Sequence, residues 1–263
     1  MALLRDDIQF HLKTTPDQVG KYVILPGDPG RVEKIAAYLD DAAFIASNRE
    51  YTTYTGSLEG ERVSVVSTGI GGPSAAIAVE ELIRCGADTF IRIGTSGGID
   101  LSVAGGDLIV ASGAIRGDGT SKEYLPADYP AVPDYRVLNA LVRAAERLSD
   151  DTLGNGYHVG VIQSKDSFYG EIEPQKMPIA EHLTARWEAY VRCGCLTSEM
   201  EAATLFSVAI ARRVRAGAVL TALWNVERTK AGLPDPVCES SDRAIRCAVE
   251  AIRLLIKEDK EKS

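Results

Sequence analysis

Short apolar segments alternate with segments of helical periodicity along most of this chain of 263 residues. The apolar segments are rich in Val and Ile and are mostly bounded by Gly, Pro or Asp, which is typical of central strands in a sheet. They lie at residues 22–25, 62–67, 89–93, 107–112, 158–164 and 216–223. This alternation predicts an α/β layered fold, in which ligands bind near the ends of strands.

Apolar residues recur every three or four positions in several other segments, which predicts helices there. These segments are 32–39, 75–85, 137–148, 202–211 and 244–256. Residues 113–135 and 165–190 lack clear periodicity and are predicted to be long loops, which are often functional. No break in composition indicates a linker, so we expect a single domain over residues 1–263, with a solvated tail from about 257 to 263.

Charge and cysteine content exclude several classes of function. The net charge of −8 argues against nucleic-acid binding, which uses a basic face. Five cysteines without paired CxxC motifs disfavour a disulfide framework and a structural zinc site. The three histidines do not show the spacing of a catalytic zinc site. The cysteine pattern therefore favours the cytoplasm. No segment approaches the roughly 20 uninterrupted apolar residues that cross a membrane, so membrane insertion is not expected.

Arg92 lies within the apolar segment 89–93, just before residues 94–98 (GTSGG), which we expect to form a glycine-rich turn. A buried arginine is expensive to desolvate unless a negative charge compensates it. The ends of three strands can bring Gly27, Arg31 and Arg92 together, where phosphate would supply that charge and Thr95 would add a hydroxyl. An internal ion pair between Arg92 and a carboxylate is the alternative.

The segments PGDPGR (26–31) and STGIGGPS (67–74) each join a predicted strand to a predicted helix. Backbone amides in such turns can bind an anion, with Gly27 beside it, Arg31 at the helix start and Pro73 in the first helical turn. A Pro-Gly turn and tight strand-to-helix packing are the structural alternatives. A Walker loop and a Rossmann fingerprint are both disfavoured, because GK[ST] and the third glycine of GxGxxG are missing.

The segment SEMEAATLF (198–206) places Glu199 and Glu201 at the start of a predicted helix. Residues two apart do not share a helical face, so the two carboxylates can have separate roles. One carboxylate can accept hydrogen bonds from two neighbouring hydroxyls of a ribose, and Met200 offers an apolar contact to the sugar. Acidic residues that favour the helix dipole are the structural alternative.

Several motifs in order along residues 10 to about 230 resemble the hexameric nucleoside phosphorylase family, and most closely its uridine-cleaving members. They are FHL, PGDPGRVEKIA, NREYTTYTG, STGIGGPSAAIAVEEL, FIRIGTSGGI, SKDSFY and SEMEAATL. The resemblance implies a single-domain, three-layer α/β/α fold with a central mixed sheet flanked by helices. It also implies a homohexamer, a trimer of dimers, whose active sites are shared between subunits.

The resemblance further implies roles for individual residues. Phosphate would be held by Gly27, Arg31, Arg92 and Thr95, with Arg49 from the adjacent subunit. Ribose would be held by Met200 and Glu201, with His11 crossing over toward the 5′-hydroxyl. Phe168 would stack near the base, and we expect Ser96, Gly97, Gln175 and Arg228 to contact the base as well. Of these residues, Arg92, Glu201 and Arg228 are expected to be catalytic. Some members hold a monovalent cation such as K⁺ at the dimer interface, and the matching residue types here are Glu50, Ile70 and Ser74.

The implied reaction is phosphorolysis, with phosphate as co-substrate and no required cofactor. Phosphate attacks the anomeric carbon while the base leaves through a transition state with oxocarbenium character. We expect uridine as substrate, with deoxyuridine or thymidine as further candidates, in nucleoside salvage.

One segment departs from the family pattern. Uridine-cleaving members commonly follow FY with a Gln and an Arg that read uracil, whereas FYGEIEPQKMP supplies Glu171, Glu173, Gln175 and Lys176. Gln175 or Lys176 could take over, or Glu171 could accept from an imide N–H. Purine members use an Asp near Asn225, and asparagine cannot supply its proton. This disfavours adenosine and leaves 6-oxopurine nucleosides as an alternative. A non-catalytic nucleoside-binding protein is another.

Overall fold

A computed structural model describes residues 8–148 and 156–262 of the chain. Within these ranges the strands are β1 (Tyr22–Pro26), β2 (Asp40–Asn48), β3 (Tyr51–Leu58), β4 (Glu61–Val66), β5 (Thr89–Gly98), β6 (Leu108–Gly117), β7 (Tyr157–Lys165), β8 (Thr197–Glu199) and β9 (Arg215–Asn225). The helices are α1 (Val32–Ala36), α2 (Gly72–Arg84), α3 (Thr120–Tyr124), α4 (Tyr135–Leu148), α5 (Phe168–Ile172), α6 (Ala180–Arg192), α7 (Ala202–Arg212), α8 (Val226–Lys230) and α9 (Asp242–Lys260). None of these described helices is long and apolar enough to span a membrane.

The described strands form one mixed sheet in the order β2-β3-β4-β1-β5-β8-β7-β6-β9. β9 also pairs with β5, so the half of the sheet from β5 to β9 closes on itself. β1 runs parallel to both β4 and β5, whereas β2 and β3 form an antiparallel hairpin. Because β1, β4 and β5 run in the same direction, their carboxyl ends and the loops that follow meet at one edge.

Apolar side chains cover both faces of this sheet. Val23 in β1 packs into the layer that contains Leu82 of α2, whereas Ile24 points to the opposite face and packs into the layer that contains Ile252 of α9. Neighbouring positions of a strand point to opposite faces, so one apolar run supplies both layers. The fold is therefore the predicted three-layer α/β/α arrangement around a mixed sheet.

The six predicted strands and four of the predicted helices lie at the expected places. The helix predicted at 32–39 is shorter, because α1 ends at Ala36 and β2 begins at Asp40. Pro73 lies in the first turn of α2, as predicted. The hairpin of β2 and β3 and the short strand β8 were not predicted from periodicity.

The expected turn at residues 94–98 is wrong, because these glycines continue β5 to Gly98. A Cβ atom on Gly94 would lie 2.7 Å from Nη2 of Arg92, and one on Gly98 would lie 2.7 Å from Cβ of Asn225. Real Cβ atoms do not approach other heavy atoms so closely. The glycines therefore allow the strand to pass crowded side chains without bending away from them.

The two predicted long loops are largely ordered elements. β6 extends to Gly117 and α3 follows it, while α5 and α6 occupy much of residues 165–190. Helix α9 continues into the predicted tail as far as Lys260, and Asp259 there accepts a hydrogen bond from the hydroxyl of Tyr22 at 2.7 Å. Ser263, the last residue of that predicted tail, lies outside the described residues.

Candidate active site

A large pocket of about 1030 Å³ opens where the loops after β1 and β4 meet the end of β5. Gly27 follows β1, Gly69 follows β4 and Thr95 lies within β5, and all three line the pocket. Its opposite wall is formed by the end of β7, by α5 and by α6. The pocket lies at the carboxyl-end edge of the sheet, where ligands bind in open α/β folds.

Two arginines converge beside the loop after β1. Arg31 and Arg92 both line the pocket, together with Gly27 and Thr95. The carboxylate of Asp28 accepts a hydrogen bond from the amide of Gly30 at 2.8 Å and so fixes this loop. A Cβ atom on Gly27 would lie 4.0 Å from Nη1 of Arg92, which shows how close the backbone comes to the guanidinium.

The charge on Arg31 is incompletely compensated. Burial lowers the pKa of Arg31, the carboxylate of Asp28 raises it, and the nearby positive charge of Arg92 lowers it. Asp28 is a weak partner, since its carboxylate lies 4.0 Å from Nε of Arg31 and is 59% exposed. An anion bound between the two guanidinium groups would stabilise both charges.

Arg92 is also part of an internal ion pair, which was the alternative interpretation of its buried position. Nε donates to Glu199 at 2.9 Å and Nη2 lies 2.5 Å from Glu201, and all three side chains are nearly inaccessible. Burial disfavours the charged guanidinium, but Glu201 and Glu199 outweigh it and raise the pKa of Arg92. Arg92 therefore links the loop after β1 to the two carboxylates.

Glu199 and Glu201 have different surroundings. Glu199 accepts from the backbone amides of Glu201 at 2.8 Å and Ala202 at 3.0 Å, and from the hydroxyl of Ser164. Glu201 lines the pocket beside Met200 and accepts from the amide of Gly71 at 2.5 Å. Burial raises the pKa of Glu201, Arg92 opposes this shift, and Glu199 adds to it. Both carboxylates thus belong to the pocket wall, but Glu199 is held by two backbone amides and a hydroxyl, whereas Glu201 is held by one backbone amide.

The residues expected near a base line the same pocket, with one exception. Ser96, Gly97, Phe168 and Gln175 all belong to its wall, and Phe168 is 38% exposed. Arg228 does not reach it: Nη1 donates to the carbonyl of Leu101 at 2.6 Å and Nε donates to that of Pro234 at 2.8 Å. Backbone carbonyls thus hold the guanidinium of Arg228 outside the pocket wall, and its contact to the base stays a prediction.

Asn225 also lies outside the residues that line the pocket, and its amide is fully used by the backbone. Nδ2 donates to Asp100 at 2.7 Å and to Val103 at 2.8 Å, while Oδ1 accepts from the amides of Glu227 and Arg228. Asn225 is therefore the N-cap of α8 and fixes the loop before β6.

His11 and Arg49 lie elsewhere on the surface of the described chain. The backbone amide and Nδ1 of His11 both contact the carboxylate of Glu81, at 2.9 and 2.6 Å. The side-chain amide of Asn48 donates to the carbonyl of His11 at 2.7 Å, and Arg49 follows Asn48 in an exposed turn. The two residues predicted to serve a neighbouring subunit therefore belong to one surface region.

The residues predicted to surround a monovalent cation are brought close together. The hydroxyl of Ser74 donates to Glu50 at 2.6 Å and lies 2.6 Å from the carbonyl of Thr68. That hydrogen bond from Ser74 is the main reason why the pKa of Glu50 is lowered. Ile70 is next to them in the pocket wall and is 77% exposed. The cation itself stays a prediction.

Sequence reasoning missed part of the pocket wall. Gln163 and Lys165 lie two positions apart near the end of β7, on one face of the strand, and both line the pocket. α6 adds His182, Trp187 and Tyr190, although none of its residues is buried against the described core. The alternation of residues 158–164 could have indicated Gln163, but the extension of β7 to Lys165 could not be predicted from the apolar run.

Comparison with known proteins agrees with this geometry. The family model described as the phosphorylase superfamily matches residues 21–256. A uridine phosphorylase of Treponema pallidum is 50% identical over 96% of this chain and 96% of its own length. A uridine phosphorylase of Thermococcus kodakarensis is 43% identical over 98% of this chain and 90% of its own length. A guanosine phosphorylase of Halorubrum lacusprofundi is 41% identical, over 94% and 99% of the two chains.

Proposed function

Because this chain belongs to the phosphorylase superfamily, we propose that it is a pentosyltransferase that carries out reversible phosphorolysis of uridine in nucleoside salvage. Deoxyuridine and thymidine are further candidate substrates. The observation that carries the proposal is the convergence of Arg31 and Arg92 on the loop at Gly27, with Glu201 bonded to Arg92 in the same pocket. An anion site thus adjoins a carboxylate suited to ribose hydroxyls.

In the proposed reaction phosphate is the co-substrate and no organic cofactor takes part. Arg31, Arg92, Thr95 and the backbone at Gly27 orient phosphate beneath the anomeric carbon. A phosphate oxygen forms the new bond to that carbon while the C–N bond breaks and its electron pair goes to the base. The negative charge of phosphate stabilises the cationic sugar in the transition state.

Glu201 anchors the ribose by accepting hydrogen bonds from its hydroxyls, and Met200 contacts the apolar face of the sugar. Phe168 packs against the base, with Ser96, Gly97 and Gln175 around it. The ionised form of Glu201 is the better acceptor, and its bond to Arg92 keeps this form available although burial raises its pKa.

A second copy of the chain completes the proposed site. His11 and Arg49 would enter the pocket of a neighbouring subunit, His11 toward the ribose 5′-hydroxyl and Arg49 toward phosphate, in a homohexamer built from dimers. Arg49 would add a positive charge to that of Arg31, because Arg92 is already balanced by two carboxylates. Glu50, Ile70 and Ser74 would hold K⁺ at this interface.

We also propose that the protein is located in the cytoplasm.

A purine nucleoside phosphorylase acting on 6-oxopurine nucleosides is the second candidate. It is favoured by the similarity to a protein named guanosine phosphorylase and by a pocket of about 1030 Å³, which also has room for a purine.

Release of free base from uridine, thymidine, inosine and adenosine, each with and without phosphate, tests the proposal. We expect phosphate-dependent release of uracil, and little release of adenine because Asn225 is held by backbone groups. Phosphate-dependent release of hypoxanthine without uracil would establish the second candidate. Binding of nucleosides without any release of base would contradict both and indicate a non-catalytic binding protein.

A further inference from the structure

Lys165 and Glu171 form a buried ion pair in the pocket wall. Nζ of Lys165 lies 2.8 Å from Oε1 of Glu171, and the two side chains are only 8% and 14% exposed. The hydroxyl of Ser198 contacts both of them, at 2.6 Å from Lys165 and 2.9 Å from Oε2 of Glu171. The ammonium and the carboxylate are therefore fixed side by side at the surface of the cavity.

The ion pair of Lys165 and Glu171 lies close to Phe168, the residue expected to pack against the base. Nζ of Lys165 lies 5.8 Å from the centre of the Phe168 ring. Ser198 precedes Glu199 in β8, and Glu199 is bonded to Arg92. The pair thus contacts both the aromatic wall at Phe168 and strand β8, which leads to Glu201, the carboxylate that would bind ribose.

A neighbouring polar group of the pocket wall lacks a partner within the described residues. Gln163 lines the pocket and is 2% exposed, and its Oε1 has no hydrogen-bond partner in the described part of the chain. Buried polar atoms nearly always have partners, so an unpaired carbonyl in a pocket wall indicates a ligand group there.

A buried ion pair is rarely retained for stability alone, because apolar residues of similar volume often replace it without loss. An ammonium next to a carboxylate is complementary to a cyclic amide edge, in which a C=O group is adjacent to an N–H group. We propose that Glu171 accepts the ring N–H of the base and that Lys165 donates to the adjacent carbonyl. This assignment deepens the proposed function and rests on it.

The pairing defines a substrate class. Uracil, thymine and the 6-oxopurines all have adjacent C=O and N–H groups on the ring. Cytosine has a lone pair at N3 where these bases have N–H, so it would place that lone pair against the carboxylate of Glu171. Such a mismatch in a buried site is costly, because both acceptors lose their partners.

Lys165 also has a catalytic role in this assignment. When the C–N bond breaks, its electron pair moves into the base and is shared with the carbonyl oxygen that faces Nζ. The positive charge of Lys165 stabilises this developing anion, which takes its proton from water after the base leaves. Lys165 therefore has the function that was expected of Arg228.

The other lysine and glutamate of this segment form a matched control. Lys176 and Glu173 also lie 2.9 Å apart, but their side chains are 71% and 41% exposed, and both residues lie outside those that line the pocket. The hypothesis that Lys176 reads the base is therefore not supported by its position.

The test compares uridine with 3-methyluridine, in which the ring N–H is replaced by N–CH₃. We expect the native protein to prefer uridine by about 100-fold in kcat/KM. In the double variant Lys165→Met/Glu171→Leu the ratio should fall to about one, because the partner of the N–H has been removed. The KM for phosphate should stay within about threefold of the native value, and Lys176→Met/Glu173→Leu should keep the native ratio.

The pocket double variant could keep the native ratio of kcat/KM for uridine to that for 3-methyluridine while activity toward both substrates falls equally. The pair would then be structural, and the assignment would be overturned. Equal use of both substrates by the native protein would do the same. If the double variant does not fold, Glu171→Ala decides, because alanine leaves no acceptor for the ring N–H: a ratio at least about tenfold lower supports the assignment, and the native ratio refutes it. Absence of phosphate-dependent uracil release by the native protein would instead refute the proposed function.

Discussion

Arg31 and Arg92 both line the pocket, but they differ in their other contacts. Arg92 is bonded to Glu199 and Glu201, both of which are buried. Its replacement by alanine would leave two uncompensated carboxylates, which costs about 3–5 kcal/mol for a broken buried pair. Loss of activity in such a variant would therefore combine loss of phosphate binding with loss of stability.

Arg31→Ala separates the two effects. We expect the KM for phosphate to rise by about 10- to 100-fold, because one charge-assisted contact is lost. The free energy of unfolding should change by less than about 1 kcal/mol, since its partner Asp28 is largely exposed. Steady-state kinetics at varied phosphate, together with urea unfolding, measure both quantities.

Arg147→Ala is the matched control for Arg31, because Arg147 is an exposed arginine that pairs with Glu250 away from the pocket. It should change neither the KM for phosphate nor the stability appreciably. A native KM for phosphate in Arg31→Ala would show that the anion binds elsewhere, and the phosphate site would then need a different assignment.

Some site residues could be predicted from the sequence because regular secondary structure determines their positions, whereas others depend on contacts in irregular segments. Gly27, Arg31 and Arg92 follow from strand ends that meet at one edge of a parallel sheet, so the sequence order was enough to bring them together. The place of Arg228 depends instead on the carbonyls of Leu101 and Pro234, which lie in irregular segments. Contacts of that kind have no signature in periodicity.

At the scale of elements, α9 is attached to the sheet by a polar cluster at its last turn. Asp259 accepts from Tyr22 at 2.7 Å, Arg215 at 2.7 Å and Arg136 at 2.6 Å. Burial alone would raise the pKa of Asp259, but hydrogen bonds from Arg215, Tyr22 and Arg136 outweigh it and lower the pKa well below the ordinary range. The folded state thus prefers the ionised carboxylate.

Asp259→Asn should lower the free energy of unfolding by about 2 kcal/mol at pH 7. Because the pKa is lowered in the folded state, the contribution is present above the unfolded-state pKa of about 4 and is lost as the pH falls below it. The difference in the free energy of unfolding between the native and variant proteins should therefore be smaller at pH 3 than at pH 7. Urea unfolding at the two pH values measures it.

Glu261→Gln is the control at the same end of α9, where Glu261 is exposed at the C-cap. This substitution should change the free energy of unfolding by less than about 0.5 kcal/mol at both pH values. A difference for Asp259→Asn that is the same at pH 7 and pH 3 would mean that packing, and not the ionised carboxylate, attaches α9.

The elements that the sequence did not reveal share a physical cause. α6 has no buried residue among those described, and the first five residues of β2 are exposed. Periodicity reports burial against a core, so an element that covers a pocket or lies at an edge of the sheet gives little signal. The core helices α2, α4, α7 and α9 were predictable because each has an apolar face.

At the scale of the whole molecule, apolar side chains are exposed near the region that contains His11 and Arg49. Phe10 is 44% exposed, and Ile70 is 77% exposed at the mouth of the pocket. His11 is held in place by the carboxylate of Glu81 and by the Asn48 side chain, and Arg49 follows Asn48 in an exposed turn; neither His11 nor Arg49 lines the pocket of its own chain. Ordered polar residues beside exposed apolar ones are typical of an interface between subunits.

Site sharing predicts that two inactive variants restore each other. Arg49→Ala and Glu201→Gln should each reduce kcat/KM for uridine by at least about 100-fold, since each removes a charged contact to the substrate. If a site takes Glu201 from one chain and Arg49 from its neighbour, random mixing of the two variants leaves about a quarter of the sites with both residues. Activity of the co-refolded mixture should therefore return to about a quarter of the native value.

The control replaces the second variant by the double variant Arg49→Ala/Glu201→Gln. When it is mixed with Arg49→Ala, no pairing contains an intact Arg49, so activity should stay at the background of the single variants. Recovery in the first mixture but not in the second can arise only when two chains contribute to one site. If neither mixture recovers although both contain mixed oligomers, Arg49 acts within its own chain or not at all, and the pocket of a single subunit must bind phosphate without it.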